Sequence, residues 1–198
     1  DIAYDFSDVY LGLHYRLKYR KFTFTPGVSA HAYSISNTQF SAKTTDNFYR
    51  FFPDFNMRLD IKKSETLNLT YRMRTQFTDV SQFASGLVLN NYNSLFSGSP
   101  ELQSALSHNI NLSYYSFNMF NYTNVFANIN YNKSIDNIRT VSVFNPGSVI
   151  RVSTPFNSNF ADESLTASGR YQRTFGKLRG SVRANLNYSK FNQFIQNR

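Results

Sequence analysis

Apolar residues recur at every second position along most of this chain. Between Leu178 and Lys190, Leu, Gly, Val, Ala, Leu and Tyr alternate with Arg, Ser, Arg, Asn, Asn and Ser. A period of two marks a strand with one apolar and one polar face. The same period runs through Val9, Leu11, Leu13, Tyr15 and Leu17, then through Phe22, Phe24, Pro26, Val28, Ala30 and Ala32. It returns in Phe51 to Ile61, in Leu67 to Met73, in Ile110 to Tyr114, in Val125 to Tyr131 and in Leu165 to Tyr171. The pattern predicts an all-β chain of about eight strands.

The connections alternate in length. Tyr19 to Lys21, Lys62 to Glu65, the FNMFN run at Phe117 and Phe175 to Lys177 are short. Ser36 to Asn47, Thr78 to Ser107 and Lys133 to Asp162 read as longer loops, the last carrying a hairpin around Asn145-Pro146-Gly147. Up-and-down membrane barrels sort their connections this way, with short periplasmic turns and long extracellular loops, whereas a Greek-key sandwich has no reason to. Strand length agrees, since about ten residues at ~3.4 Å rise and ~40° tilt span roughly 26 Å, the height of the apolar band. Aromatics gather near the short turns (Tyr15, Tyr19, Phe22, Phe24; Phe117, Phe120, Tyr122; Tyr171, Phe175), as an interfacial girdle would. The expected fold is an antiparallel up-and-down transmembrane β-barrel with long extracellular loops. In the last strand Leu178, Val182, Ala184 and Leu186 then face lipid, and Arg179, Arg183, Asn185 and Asn187 face the interior.

Composition refines this picture. The mean hydropathy is negative and no segment approaches the ~20 apolar residues of a membrane helix, but alternating strands average out to a polar sequence, so a barrel escapes that test. The net charge is +9 over 198 residues. Nucleic acid is not the expected partner, because the bases recur on strand after strand instead of gathering on one patch. With no cysteine there is no thiolate metal site. The start at Asp1 carries no signal peptide, which fits a processed or excised chain.

Three stretches resemble TonB-dependent receptors. GSPELQSALSHNINLSY, Gly98 to Tyr114, is similar to a Gly-Asn-Pro-x-Leu-x-Pro-Glu signature that precedes a barrel strand. Gly98, Pro100 and Leu102 match it, while Ser99 and Ser104-Ala105 depart from it. NFYRFFPDFNMRLDIKKSETLNLTYRMR resembles the family's "FFP" strand pair, and VIRVSTPFNSNFADESLTASGRYQR its loop hairpin returning into a strand. The family's barrel is larger than eight strands. The resemblance therefore implies that residues 1–198 are one partial barrel domain, from the C-terminal half, with no plug domain in this chain. It also implies the outer membrane of a Gram-negative bacterium, uptake of a bulky solute, and, in a full-length transporter, a plug domain and a TonB-type energy coupler as partners.

Little in the sequence suggests catalysis. There is no Gly-x-Ser-x-Gly elbow, His-Glu-x-x-His or Gly-rich phosphate loop, and no catalytic, cofactor or metal residues are assigned. His14 and His31 fall on the polar faces of neighbouring strands, where they read as interior filling without a carboxylate cluster. Asp54 and Asp60 are expected to pair across strands with Arg72 or Arg74. Together with His14 and His31, the lumen-facing candidates are Arg16, Arg58, Arg72, Arg74, Arg170, Arg179 and Arg183. They would form a cationic wall that serves an anionic solute, docks a plug, or stiffens the barrel. Phe83, Leu87, Val88, Leu89, Tyr92, Leu95 and Phe96 are too many apolar residues for a solvated loop, which predicts contact with another loop, a plug or a partner protein outside the cell. Two alternatives stay open: a structural or assembly barrel subunit without transport, and a soluble basic β-protein binding nucleic acid or polysaccharide.

Overall fold

The computed structural model describes residues 2–39, 42–77, 79–83, 87–99, 102–144 and 150–192. Its main sheet contains β1 (Ile2–His14), β2 (Leu17–Tyr19), β3 (Phe22–Gln39), β4 (Ala42–Lys62) and β5 (Glu65–Gln76). A short 3-10 turn, Val80–Phe83, and two small strands follow, β6 (Leu87–Asn91) and β7 (Ser94–Ser97). The chain continues with β8 (Ala105–Asn118), β9 (Thr123–Ile135), β10 (Asn137–Phe144), β11 (Arg151–Ser158), β12 (Asp162–Phe175) and β13 (Leu178–Lys190). The order in the main sheet is β1-β3-β4-β5-β8-β9-β12-β13, with β2 continuing β1 alongside β3. Every pairing in this sheet is antiparallel, so it is an up-and-down wall.

Register turns the sequence stripes into a surface. Phe24, Met57, Leu69, Leu112, Ile129 and Leu186 lie in one row across the sheet, and Thr23, Arg58, Asn68, Ser113, Asn128 and Asn185 form the next row on the other face. Among the described residues the apolar face stays largely uncovered: Leu11 is 78% exposed and Val182 67%. Among the described residues the buried large hydrophobics are Tyr33, Phe52, Phe83 and Leu102, all of them off the apolar stripes. A soluble barrel would bury those stripes. Their exposure fits a wall whose outer solvent is hydrocarbon.

The short connections lie where the periodicity puts them. The turn between β12 and β13 uses Gly176 at φ +61°, a conformation that costs glycine little. The β4–β5 turn carries a bulge between Asp60 and Lys62. One expectation fails: Ser36 to Asn47 is no loop. The β3–β4 ladder runs on through Ile35↔Asp46, Ser36↔Thr45 and Thr38↔Lys43 to Gln39↔Ala42. The polar residues that hide the strand period there do so because this hairpin stands above the apolar band, where neither face needs to be apolar.

The two remaining long excursions meet. β10 and β11 form the expected hairpin, whose Asn145-Pro146-Gly147 tip lies outside the described residues. β11 also pairs with β7 in parallel, through Arg151↔Ser94, Val152↔Leu95 and Ser153↔Phe96, giving a second sheet of order β10-β11-β7-β6. Phe83 is buried, and Leu95 and Phe96 are half-buried, as their apolar character predicted. Leu87, Val88, Leu89 and Tyr92 stay exposed.

Candidate functional site: the polar face of the main sheet

The polar face is most elaborate over β1, β3 and β4. His14 on β1, Gly27 on β3 and Asp54 on β4 share one register row. Histidine and aspartate meet over the glycine, His14 Nε2 lying 3.1 Å from Asp54 Oδ2. A Cβ on Gly27 would collide with the His14 ring and come within 2.7 Å of Asp54 Oδ1, so the glycine is the saddle that lets the pair close. Further along, His31 Nδ1 lies 3.0 Å from Asp8 Oδ1. The ring is stacked between Tyr10 and Tyr33, with centroids 5.1 and 5.5 Å away, and receives the edge of Phe52 at 5.1 Å.

His14 and His31 thus each have one carboxylate partner, and the acids come from strands whose alignment the sequence alone did not fix. Asp54 does stand opposite Arg72 in register, but its side-chain contact is with His14. Asp60 pairs with Arg58 two residues away on its own strand, Arg58 Nε donating at 2.9 Å. Cross-strand pairing with Arg72 or Arg74 is therefore not what these aspartates do. Among the described residues no three His, Cys, Asp or Glu side chains gather where they could hold a metal ion.

Beyond His31 the polar face becomes aromatic. Tyr33 and Phe52 are 4% and 5% exposed. Phe77 packs against Phe6 and Tyr33 at 4.8 Å each, Phe48 lies 5.3 Å from Tyr33, and the Arg50 guanidinium sits 5.8 Å from the Phe48 ring. This cluster escapes a reading of periodicity that ends the second strand at Ala32. Its signal is the odd-position run His31, Tyr33, Ile35 facing Phe48 and Phe52.

Over β8 and β9 the same face is an amide ladder. Asn109 Nδ2 donates to Asn130 Oδ1 at 3.1 Å, and Asn111 and Asn128 exchange contacts at 3.4 Å. His31, Arg58, Arg72, Arg74, Arg170, Arg179 and Arg183 all share this polar face with His14, while Arg16 lies at the break between β1 and β2. The structure does not gather them into one cluster. Arg170 and Arg183 stand directly opposite each other, and Arg179 faces Thr174.

Two further regions frame the face. At the short β4–β5 turn, below the apolar band, Tyr114 donates to Glu65 Oε1 at 2.7 Å. That hydrogen bond, helped by Lys62, holds the Glu65 carboxyl below its ordinary range. Of the proposed girdle, Tyr19, Phe22, Phe24, Tyr171 and Phe175 lie on the apolar face, but Phe117 belongs to the polar one. At the opposite end, the signature segment around Gly98 and Leu102 is a junction. Ser99 N–H donates to Gln82 O at 2.8 Å, Leu102 is buried, and Gln103 is clamped by Asn157 through two 2.8 Å hydrogen bonds. Pro100 lies outside the described residues.

A largely uncovered apolar face, a polar and charged opposite face, and long excursions confined to one end of the sheet define a transmembrane β-barrel wall. Residues 9–198 match the outer membrane protein β-barrel family, and the chain belongs to it. Its place is accordingly the outer membrane of Gram-negative bacteria, where such barrels set short turns in the periplasm and long connections outside. No curated protein matches the sequence. Among solved structures the fold is similar to that of the copper transporter OprC, with a TM-score of 0.65 at 11% identity. The similarity covers 96% of this chain, and the chain spans only 30% of that structure's length.

Proposed function

We propose that this chain is part of the barrel wall of a TonB-dependent receptor-like transporter that takes up a bulky solute, with its polar face lining the lumen. The carrying observation is the contrast between the two faces: large hydrophobics stand uncovered on one, while His, Asp, Asn and Arg occupy the other. Residues 1–198 would be a single barrel domain, with the lumen-filling plug and the energy coupler supplied from outside it. Catalysis has no place in this reading.

A scaffold barrel without transport is the second reading, and the amide ladder and the His–Asp pairs favour it, because side chains that satisfy one another leave less for a solute. Planar-bilayer recording on the full-length protein separates the two. A transporter conducts little until its lumen-filling domain is deleted and then opens a wide pore. A full-length sequence without such a domain, or no change in conductance on deletion, sinks the transport reading.

A further inference from the structure

The positive charge of the chain is unevenly spread along the membrane normal. Lysines and arginines crowd the short turns, as at Lys18 and Lys21, Lys62 and Lys63, and Lys177 and Arg179, where Asp60 and Glu65 are the carboxylates. Among the described residues the ion pairs at this end are Arg58–Asp60 and Lys62–Glu65. Arg170 and Arg183 gain nothing from them. One register row runs Asp60, Thr66, Tyr115, Phe126, Arg170, Arg183, so at ~4.8 Å per strand Asp60 is roughly 19 Å from Arg170. Like charges directly opposite in a sheet repel. A facing arginine pair persists more easily if a counter-charge arrives from elsewhere.

The surroundings of Arg170 are prepared for one. Its guanidinium donates to Gln172 Oε1 at 2.8 Å, and Gln172 is itself buried, which fixes the arginine's direction. Tyr115, Asn124, Phe126 and Arg170 line a shallow concavity of about 250 Å³. Asn124 Oδ1 beside it is buried and has no hydrogen-bond partner. Guanidinium and two aromatic rings together suit a carboxylate carried next to an apolar side chain, and the Asn124 carbonyl oxygen is left to accept an N–H from the same segment.

We infer that the periplasmic half of the polar face docks an acidic polypeptide segment, one of whose Asp or Glu side chains enters the Arg170 concavity beside Arg183. This rests on the reading of that face as the lumen. Membrane phospholipid is on the wrong side of the sheet to reach it. A small anion covers only a few ångströms, whereas the cations extend from Lys18 and Arg58 to Arg170 and Arg183, across the width of the wall. A chain of carboxylates spans that distance.

The test places p-benzoylphenylalanine at Phe126 in the full-length protein, in cells, and maps the photoadduct by mass spectrometry. An adduct on an Asp- or Glu-rich segment is expected. It should fall at least tenfold in the R170E/R183E double variant and survive in R170K/R183K, with unchanged heat-modifiable mobility in gels reporting a folded barrel in each. No adduct, an adduct to lipid, polysaccharide or a segment without carboxylates, or an adduct indifferent to charge reversal overturns the proposal. The bilayer recording keeps the two readings apart: a charge-dependent acidic adduct without a plugged pore sinks transport alone, and a plugged pore without the adduct sinks the docking site alone.

Discussion

Placing a charge on each face in turn gives the sharpest test of which side meets lipid. Leu69 is flanked on β4 and β8 by Met57 and Leu112, and Thr70, one residue along, by Asn56 and Asn111. Four residues from Glu65, at ~3.4 Å per residue and ~40° tilt, put Leu69 roughly 10 Å above the β4–β5 turn, near the middle of a ~25 Å apolar band. Leu69→Arg should therefore cost about 2–4 kcal/mol. Thr70→Arg removes the 3.0 Å hydrogen bond from Asn56 Nδ2, about 1 kcal/mol, and places its charge among amides. The difference, about 2 kcal/mol, is roughly thirtyfold in the ratio of folded to unfolded protein. Urea titration of the full-length protein in lipid vesicles, read by heat-modifiable mobility in gels, resolves a gap of that size. Equal loss at the two positions, or a larger loss at Thr70, would refute the assignment of faces.

Gly27→Ala should push the His14 ring off Asp54 for less than about 1.5 kcal/mol, and adding His14→Ala should relieve most of that cost, a coupling measured by the double-mutant cycle in the same titration. Chymotrypsin added to intact cells should cut at Tyr92, which is 98% exposed between β6 and β7, while trypsin should spare Lys62 and Lys63; the reverse outcome would invert the orientation. The folded-state pKa of Glu65 lies below its unfolded value, so the stability it contributes is present above the unfolded value and lost as pH falls through the folded one. Glu65→Gln should flatten that acid limb of the vesicle titration, and an unchanged limb would mean the Tyr114 contact does not persist in the membrane.

The wall itself was legible from sequence because a period of two is written residue by residue: the stripes from Val9 to Leu186 are one face of the sheet. Legibility stopped where the membrane stops. Above the apolar band the environment no longer imposes alternation, so Ser36 to Asn47 reads as loop although its backbone stays paired to Gln39↔Ala42. Of the candidate arginines, Arg58, Arg72, Arg74, Arg170, Arg179 and Arg183 share the polar face for the same local reason, while Arg16 lies at the break between β1 and β2. The partners of His14 and His31 were not legible, because Asp54 and Asp8 become their neighbours only through the register of β1, β3 and β4, which turn geometry sets. The parallel contact of β7 with β11 had no local signal at all, since its strands lie more than fifty residues apart in sequence.

That contact has a consequence for how the outer surface can vary. Exposed loops of membrane barrels ordinarily drift one at a time, each free to lengthen, shorten or change its chemistry. Here Leu95 lies against Val152 and Phe96 against Ser153, and Asn157 holds Gln103 from the other excursion. A deletion that shifts β7 by one residue would turn its side chains over and misalign β11 with it. Immune or phage pressure on one excursion is therefore felt by both.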